Sequence, residues 1–344
     1  MNSAYRSLLL VCLAAMLFTT SCYKSGYNSV VVTPVNSNET KLNQLFSGLR
    51  YVPQNISVTA GFTQTVYGIN GTKLTFYPNS FKDNSGNIIT RGIINIQLTE
   101  IYTTGGMIAN RAATTTADGR LLTSGGEVLI AATMNGQEVF ANKYGVGFRA
   151  VPSKQPMLLL YGNADTRDSV VSWATPGSPL PGAFAAGTVT NADTSLVVVI
   201  TSAGPDTVTT HTAVTTYYQF DSCASFNWIN CDYFYSSSAQ LTDVRVMLPD
   251  TSFNQSNTEV FVVFPTINAA AHMSQYNIAT HTFDLPNGYY IPTGMPMDIV
   301  VATNKSGSYY YYSDTSVSTT NNMFIYAEMS QMSLDAIKTQ LNNL

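Results

Sequence analysis

The chain has 344 residues, of which 45% are hydrophobic and only 10% charged, against roughly 25% charged in an average soluble protein. A net charge of −4 without clusters of Lys and Arg offers no electrostatic footprint for a phosphate backbone, which excludes nucleic acid as a partner. Thr, Ser, Asn and Tyr stand where charge is missing, and these residues suit pleated strands and tight turns, so the composition points to an exported, all-β protein large enough for two domains.

Residues 1–22 read MNSAYRSLLLVCLAAMLFTTSC: one Arg, an apolar run over 8–18, then small residues. This is the pattern of a secretory signal, too short for a permanent span, which needs about 20 apolar residues. Its end, Thr19-Thr20-Ser21-Cys22, resembles a bacterial lipobox. The resemblance implies a diacylglycerol on the Cys22 sulfur and a further acyl chain on its amine, hence an outer-membrane lipoprotein facing the periplasm or the cell surface. Two or more chains anchor stably, at about 0.8 kcal/mol per buried methylene. An ordinary signal-peptidase cut with Cys22 incidental is the alternative. Residues 23–45, rich in Ser, Asn and Gly, read as a flexible tether.

Over 46–162, short runs of period two alternate with turn residues, as in Phe62-Thr63-Gln64-Thr65-Val66-Tyr67, which predicts a first β-sandwich. Turns are expected at Asn70-Gly71, Asp118-Gly119 and Asn135-Gly136, where positive φ is accessible. The run from Asp83 to Asn87 imitates the start of an EF-hand loop but lacks the later ligands, so it reads as a hairpin turn. Two further features stand out: the corner Tyr77-Pro78-Asn79-Ser80-Phe81 and the step Ser124-Gly125-Gly126 before a strand. With the later stretch 227–234, NWINCDYF, they resemble the ZU-type β-sandwich module of ankyrins and netrin receptors, in the form found in Bacteroidetes-type envelope lipoproteins. The resemblance covers about residues 55–140 and 226–234. It implies a fold and a location and no catalytic residue.

Residues 163–206 shift to Pro, Gly and Ala and read as a linker or long loop. From 207 to 344 a second β-sandwich is expected, with strands over 214–220, 242–248, 258–264, 297–303, 308–313 and 323–328. The terminal SLDAIKTQLNNL changes to a helical period, with Ser333 as N-cap, Asp335 in the first turn, and Leu334, Ile337, Leu341 and Leu344 on one face. Cys223 and Cys231 match neither zinc nor redox spacing. In an exported protein they are expected to form a structural disulfide, a reduced buried pair being the alternative. Asp221 and Asp232 beside them are too few for calcium and read as turn residues.

No catalytic signature emerges. His211, His272 and His281 have no metal-ligand spacing, no G-x-S-x-G elbow occurs, and no phosphate-binding loop is present, so no cofactor and no metal is expected. Glu100 and Glu127 are expected to make structural hydrogen bonds. The unusual resource is tyrosine, with 21 in the chain. On a strand, two of Tyr309, Tyr310, Tyr311 and Tyr312 should face away from the core, and with Tyr289 and Tyr290 they are candidate ligand contacts. The leading expectation is a non-enzymatic, lipid-anchored binding, adhesion or assembly module with a glycan or envelope-protein partner. The alternative is a carbohydrate-active hydrolase with two carboxylates about 5–10 Å apart in a cleft of the second domain. A third possibility is a subunit of an outer-membrane complex, signalled by a large exposed apolar patch.

Overall fold

The computed structural model describes residues 41–149, 157–163, 170–174, 192–202, 208–286 and 289–344. Cys22, the signal segment, the tether up to residue 40 and most of the expected linker lie outside them. The protein is all-β, with three short helices among the described residues, α1 (Lys41–Leu49), α2 (Thr104–Ala109) and α3 (Leu334–Asn342).

The first sandwich pairs two sheets. One runs in the order β1 (Gln54–Thr59), β5 (Ile93–Ile101), β6 (Leu122–Met134), β14 (Asn227–Phe234), β10 (Leu158–Asn163) and β11 (Ser172–Trp173), with β7 (Gln137–Glu138) folded back on β6. The other runs β12 (Ala192–Ser202), β13 (Val208–Cys223), β9 (Tyr144–Arg149), β3 (Lys73–Phe76) and β2 (Gln64–Tyr67). A small ribbon of β4 (Phe81–Lys82) and β8 (Phe140–Ala141) closes one end. Between the sheets lie Ile94, Ile96, Leu98, Val128, Ile130, Val146 and Phe148, all buried. The Tyr77–Phe81 corner is fixed by Ser80, whose Oγ accepts from the Tyr77 amide and donates to the Lys143 carbonyl, both at 2.6 Å. That places Phe81 against Phe76 and Phe226 in the core.

The second sandwich stacks the sheet β18 (Ala269–His272), β17 (Thr258–Phe264), β22 (Pro296–Lys305), β23 (Ser308–Ser318), β25 (Ser330–Gln331) on the sheet β19 (Gln275–Asn277), β20 (Thr282–Asp284), β16 (Val244–Met247), β24 (Met323–Tyr326). The pair β15 (Leu241–Thr242) and β21 (Ile291–Pro292) lies beside them. Val246, Val260, Val262, Phe264, Ile299, Val301 and Ile325 fill its core.

A third core joins the two bodies. The outward face of the first sheet (Leu122, Leu129, Leu160, Trp173, Trp228) meets the outward face of the β17–β22–β23 sheet (Phe261, Val263, Val300, Ala302, Tyr311), and the three helices pack into the same layer. Strands β6 and β22 are therefore buried on both faces along most of their length, with the apolar runs 128–132 and 299–302 at their centres. Helix α3 is capped as expected, Ser333 Oγ accepting from the Ala336 amide, with Ile337 and Leu341 buried. Helices α2 and α3 approach so closely that a Cβ on Gly105 would lie 1.8 Å from the Leu341 carbonyl oxygen, so only glycine fits there.

Three expectations change. The first sandwich does not end at 162, because β10, β11, β12, β13 and β14 all pair within its sheets. The second sandwich starts at Leu241 rather than at 207, and 163–206 includes the paired strands β11 and β12. The tether stops before Lys41, where α1 begins. Its Leu42, Leu45, Phe46 and Leu49, at helical spacing, are buried in the middle core.

Candidate functional site

Tyrosine exposure departs from the expectation for β23. Tyr309 and Tyr311 pack on the middle core and Tyr310 and Tyr312 on the core of the second sandwich, so Tyr311 is buried, the other three are half-buried, and neither side of the row stands open. The reason is position: β23 lies inside a sheet covered on both faces, and strand alternation then shares the rings between two cores. Tyr289 is also engaged, its hydroxyl donating to the Thr116 carbonyl at 2.7 Å across the two sandwiches. Of the six candidate tyrosines, Tyr290 is the exposed one, at 53%.

The open aromatic surface is one strand further along the chain. β24 is an edge strand, and its burial alternates, with Ile325 in the core and Phe324 and Tyr326 outward at 42% and 64% exposure. The two rings lie with centroids 5.0 Å apart at 57°. Parallel pairing sets Arg245 beside Phe324 and Met247 beside Tyr326. The next strands continue both rows, Asp284 and Gln275 beyond Arg245, Thr282 and Asn277 beyond Met247. Arg245 Nε binds Asp284 Oδ1 at 3.0 Å, which holds the guanidinium down on the sheet. The result is a sheet face with two exposed rings at one side and charged and amide groups at the other, able to stack on a ring-shaped ligand and to hydrogen-bond its rim. Phe324 and Tyr326 escaped sequence reasoning because their strand was expected without its place in the sheet. Their spacing of two, flanking Ile325, was the available signal.

Three groups of buried or largely buried carboxyls lie away from this face, and Asp298 on β22 is a further buried one. Glu100 is a structural acceptor, as expected: it takes Gln54 Nε2 at 2.6 Å and the Asn70 and Thr72 amides at 2.8 Å, pinning the turn before β3. Glu259 sits between the sandwiches, where Arg111 Nη2 contacts its Oε1 at 3.0 Å and His272 Nε2 contacts its Oε2. Arg111 also donates to Asn43 Oδ1 at 2.9 Å and lies 4.2 Å over the Phe46 ring, so one network ties α1 to both sandwiches. Burial pushes the Glu259 carboxyl up, but His272 and Arg111 outweigh it and hold it below its usual range.

The third group is Glu127 and Asp232, both fully buried. Burial and then the Asp232 carboxyl push Glu127 well above the carboxylate range. Burial pushes Asp232 up as well, against bonds from Ser124, Asn230 and the Gly125 amide. Glu127 makes no structural hydrogen bond among the described residues, contrary to expectation. This acidic pair lies in the first sandwich and is closed to solvent, whereas the hydrolase alternative requires a pair in an open cleft of the second. Asp221 is remote from it in character, exposed and bonded to Gln219 Nε2 at 2.9 Å. His281 bonds the Tyr276 hydroxyl at 2.9 Å, and His211 sits opposite Val199 in the β12–β13 ladder.

Cys223 and Cys231 are both free and buried, so the expected disulfide is not formed in the structure. Cys223 ends a strand of one sheet and Cys231 lies within a strand of the facing sheet, opposite Leu159. The Cys223 thiol turns instead to the Phe220 carbonyl at 3.8 Å. Burial pushes Cys223 up to about 12 and Cys231 well above the thiol range, which keeps both as unreactive thiols.

No helix among the described residues is long and apolar enough to cross a membrane. No protein-family model matches the chain, and no curated protein sequence matches it. Fold and surface together define an all-β protein whose described residues form two sandwiches fused through a shared third core, with the Phe324 and Tyr326 rings exposed on β24.

Proposed function

We propose that the protein is a non-enzymatic binding module of the cell envelope, anchored by lipid on Cys22, that recognises a glycan with the β24–β16–β20–β19 face. The observation that carries this reading is the exposure of Phe324 and Tyr326 side by side on a sheet face that also carries Arg245, Asp284, Gln275 and Asn277. Sugar rings present apolar C–H faces and a hydroxyl rim. Aromatic rings stack on the former, and Arg245, Asp284, Gln275 and Asn277 hydrogen-bond the latter. The lipobox-like Cys22 and the ZU-type resemblance of the first sandwich support an envelope location. The first sandwich then acts as the stand that carries the binding face, and the middle core makes the two move as one. The test is retention of the protein, extracted from membranes, on a panel of immobilised glycans, with the mass of its N-terminal peptide measured in parallel. Retention by at least one glycan class and a diacylglyceryl mass on Cys22 are expected. Loss of either result removes the corresponding half of the proposal.

A further inference from the structure

Four oxygen atoms on one side of the first sheet have no hydrogen-bond partner among the described residues: both Oε atoms of Glu127, Asp232 Oδ1 and Asn230 Oδ1. All three residues are 0% exposed. Their convergence comes from the Ser124-Gly125-Gly126 step. Asn230 stands opposite Glu127, whereas Asp232 stands opposite Ser124, so β6 carries one residue more than β14 over this stretch. That is a β-bulge. It is made possible by Gly126 at φ 136°, where the Tyr102 ring leaves no room for a Cβ. Because of the extra residue, Ser124 and Glu127, three apart, face the same side of the sheet as Asn230 and Asp232. Asn230 Nδ2 donates to Asp232 Oδ2 at 2.5 Å, which turns its own Oδ1 away, unpartnered, within the cluster. Asn268 of the second sandwich seals the strand above it, exchanging bonds with the Ser124 amide and carbonyl.

Buried carboxylates ordinarily find a cation. Glu259 in the same layer does so, with Arg111 and His272. Neither Glu127 nor Asp232 has an ion pair among the described residues. All four orphan atoms of this cluster are acceptors; a water or a proton shared by the carboxyls can supply a donor, and a cation supplies the positive charge. We propose that Glu127, Asp232 and Asn230 bind a hard divalent cation of the calcium class at the β6 bulge. Two carboxylates match a double charge, the donor atoms are all oxygen, and calcium tolerates an irregular shell of six to eight oxygens that water can complete. Magnesium demands a near-regular octahedron at shorter distances, which two carboxylates and one amide set along a bulged strand do not present. The cation would lock the bulge from which β6 passes between both cores, and its role is structural support for the binding face.

The test uses the full chain purified without chelator. Elemental analysis by mass spectrometry is expected to find about one calcium per chain. Stripping with EDTA at pH 8 should lower the Tm by roughly 5 °C or more, and calcium chloride should restore it. The E127Q/D232N variant, which removes both charges and supplies donors, should hold no calcium and give a Tm indifferent to both reagents. Wild-type protein without a divalent metal and with a Tm unmoved by EDTA and calcium overturns the proposal, as does a different metal bound in calcium's place. The wild-type measurements decide the matter even if the variant does not fold.

Discussion

The tyrosine row of β23 and the aromatic pair of β24 are built from the same kind of side chain and meet opposite fates. β23 carries four consecutive tyrosines and exposes little of them, because it lies inside a sheet whose two faces are claimed by different cores. β24 carries two aromatics and exposes both, because it is the edge of the outermost sheet with one face open. The number of aromatic residues in a strand thus says little about recognition. The layer in which the strand sits decides whether a ring stabilises the fold or is left for a ligand.

This contrast can be broken most forcefully from the inside. Tyr311→Ala empties a site at 2% exposure where the middle core is joined. It should cost about 3–5 kcal/mol, seen as a loss of stability in urea unfolding monitored by fluorescence. Next is the ionic tie of the same layer: Glu259→Ala leaves Arg111 buried without its carboxylate and should cost about 3 kcal/mol by the same assay.

A smaller effect follows from pH. The Glu259 carboxyl is held below its unfolded value, so its stabilisation is present above the ordinary carboxylate range, about 4.3, and is lost as pH falls through its lowered folded value. Glu127 and Asp232 have the opposite sign in metal-free protein: raised in the fold, they stabilise fully below the ordinary range and lose that contribution as pH rises. Thermal unfolding across pH should therefore show an acid limb flattened by Glu259→Gln. In EDTA it should also show an alkaline limb flattened by E127Q/D232N. Smallest of all is the effect of the open pair on the fold, since F324S/Y326S removes two partly exposed rings at a sheet edge and should change stability by no more than about 1 kcal/mol.

Much of the local structure was legible in the sequence. Ser333 and the Leu334, Ile337, Leu341 spacing specify α3, and Ser80 in the Tyr77–Phe81 corner and the paired glycines before Glu127 mark bends that the fold uses. Leu42, Leu45, Phe46 and Leu49 carried the signal for α1, but it was masked by the polar composition around it. Other features were not legible, because they depend on pairing between distant strands. The alternation of β23 is the same whether one face or two are covered. The nearness of Cys223 to Cys231 in sequence conceals their placement on facing sheets. The meeting of Glu127 with Asp232 requires the β6–β14 register, across a separation of about a hundred residues.

The central claim is that the open pair on β24 serves recognition while the rings of β23 serve the fold. It is tested most directly by titrating a glycan retained by the wild-type protein against wild type and F324S/Y326S, with Tm measured on both. The account predicts a nearly unchanged Tm and an affinity at least about tenfold weaker, equivalent to roughly 1.4 kcal/mol from two lost stacking contacts. Equal affinity in the two proteins would contradict it.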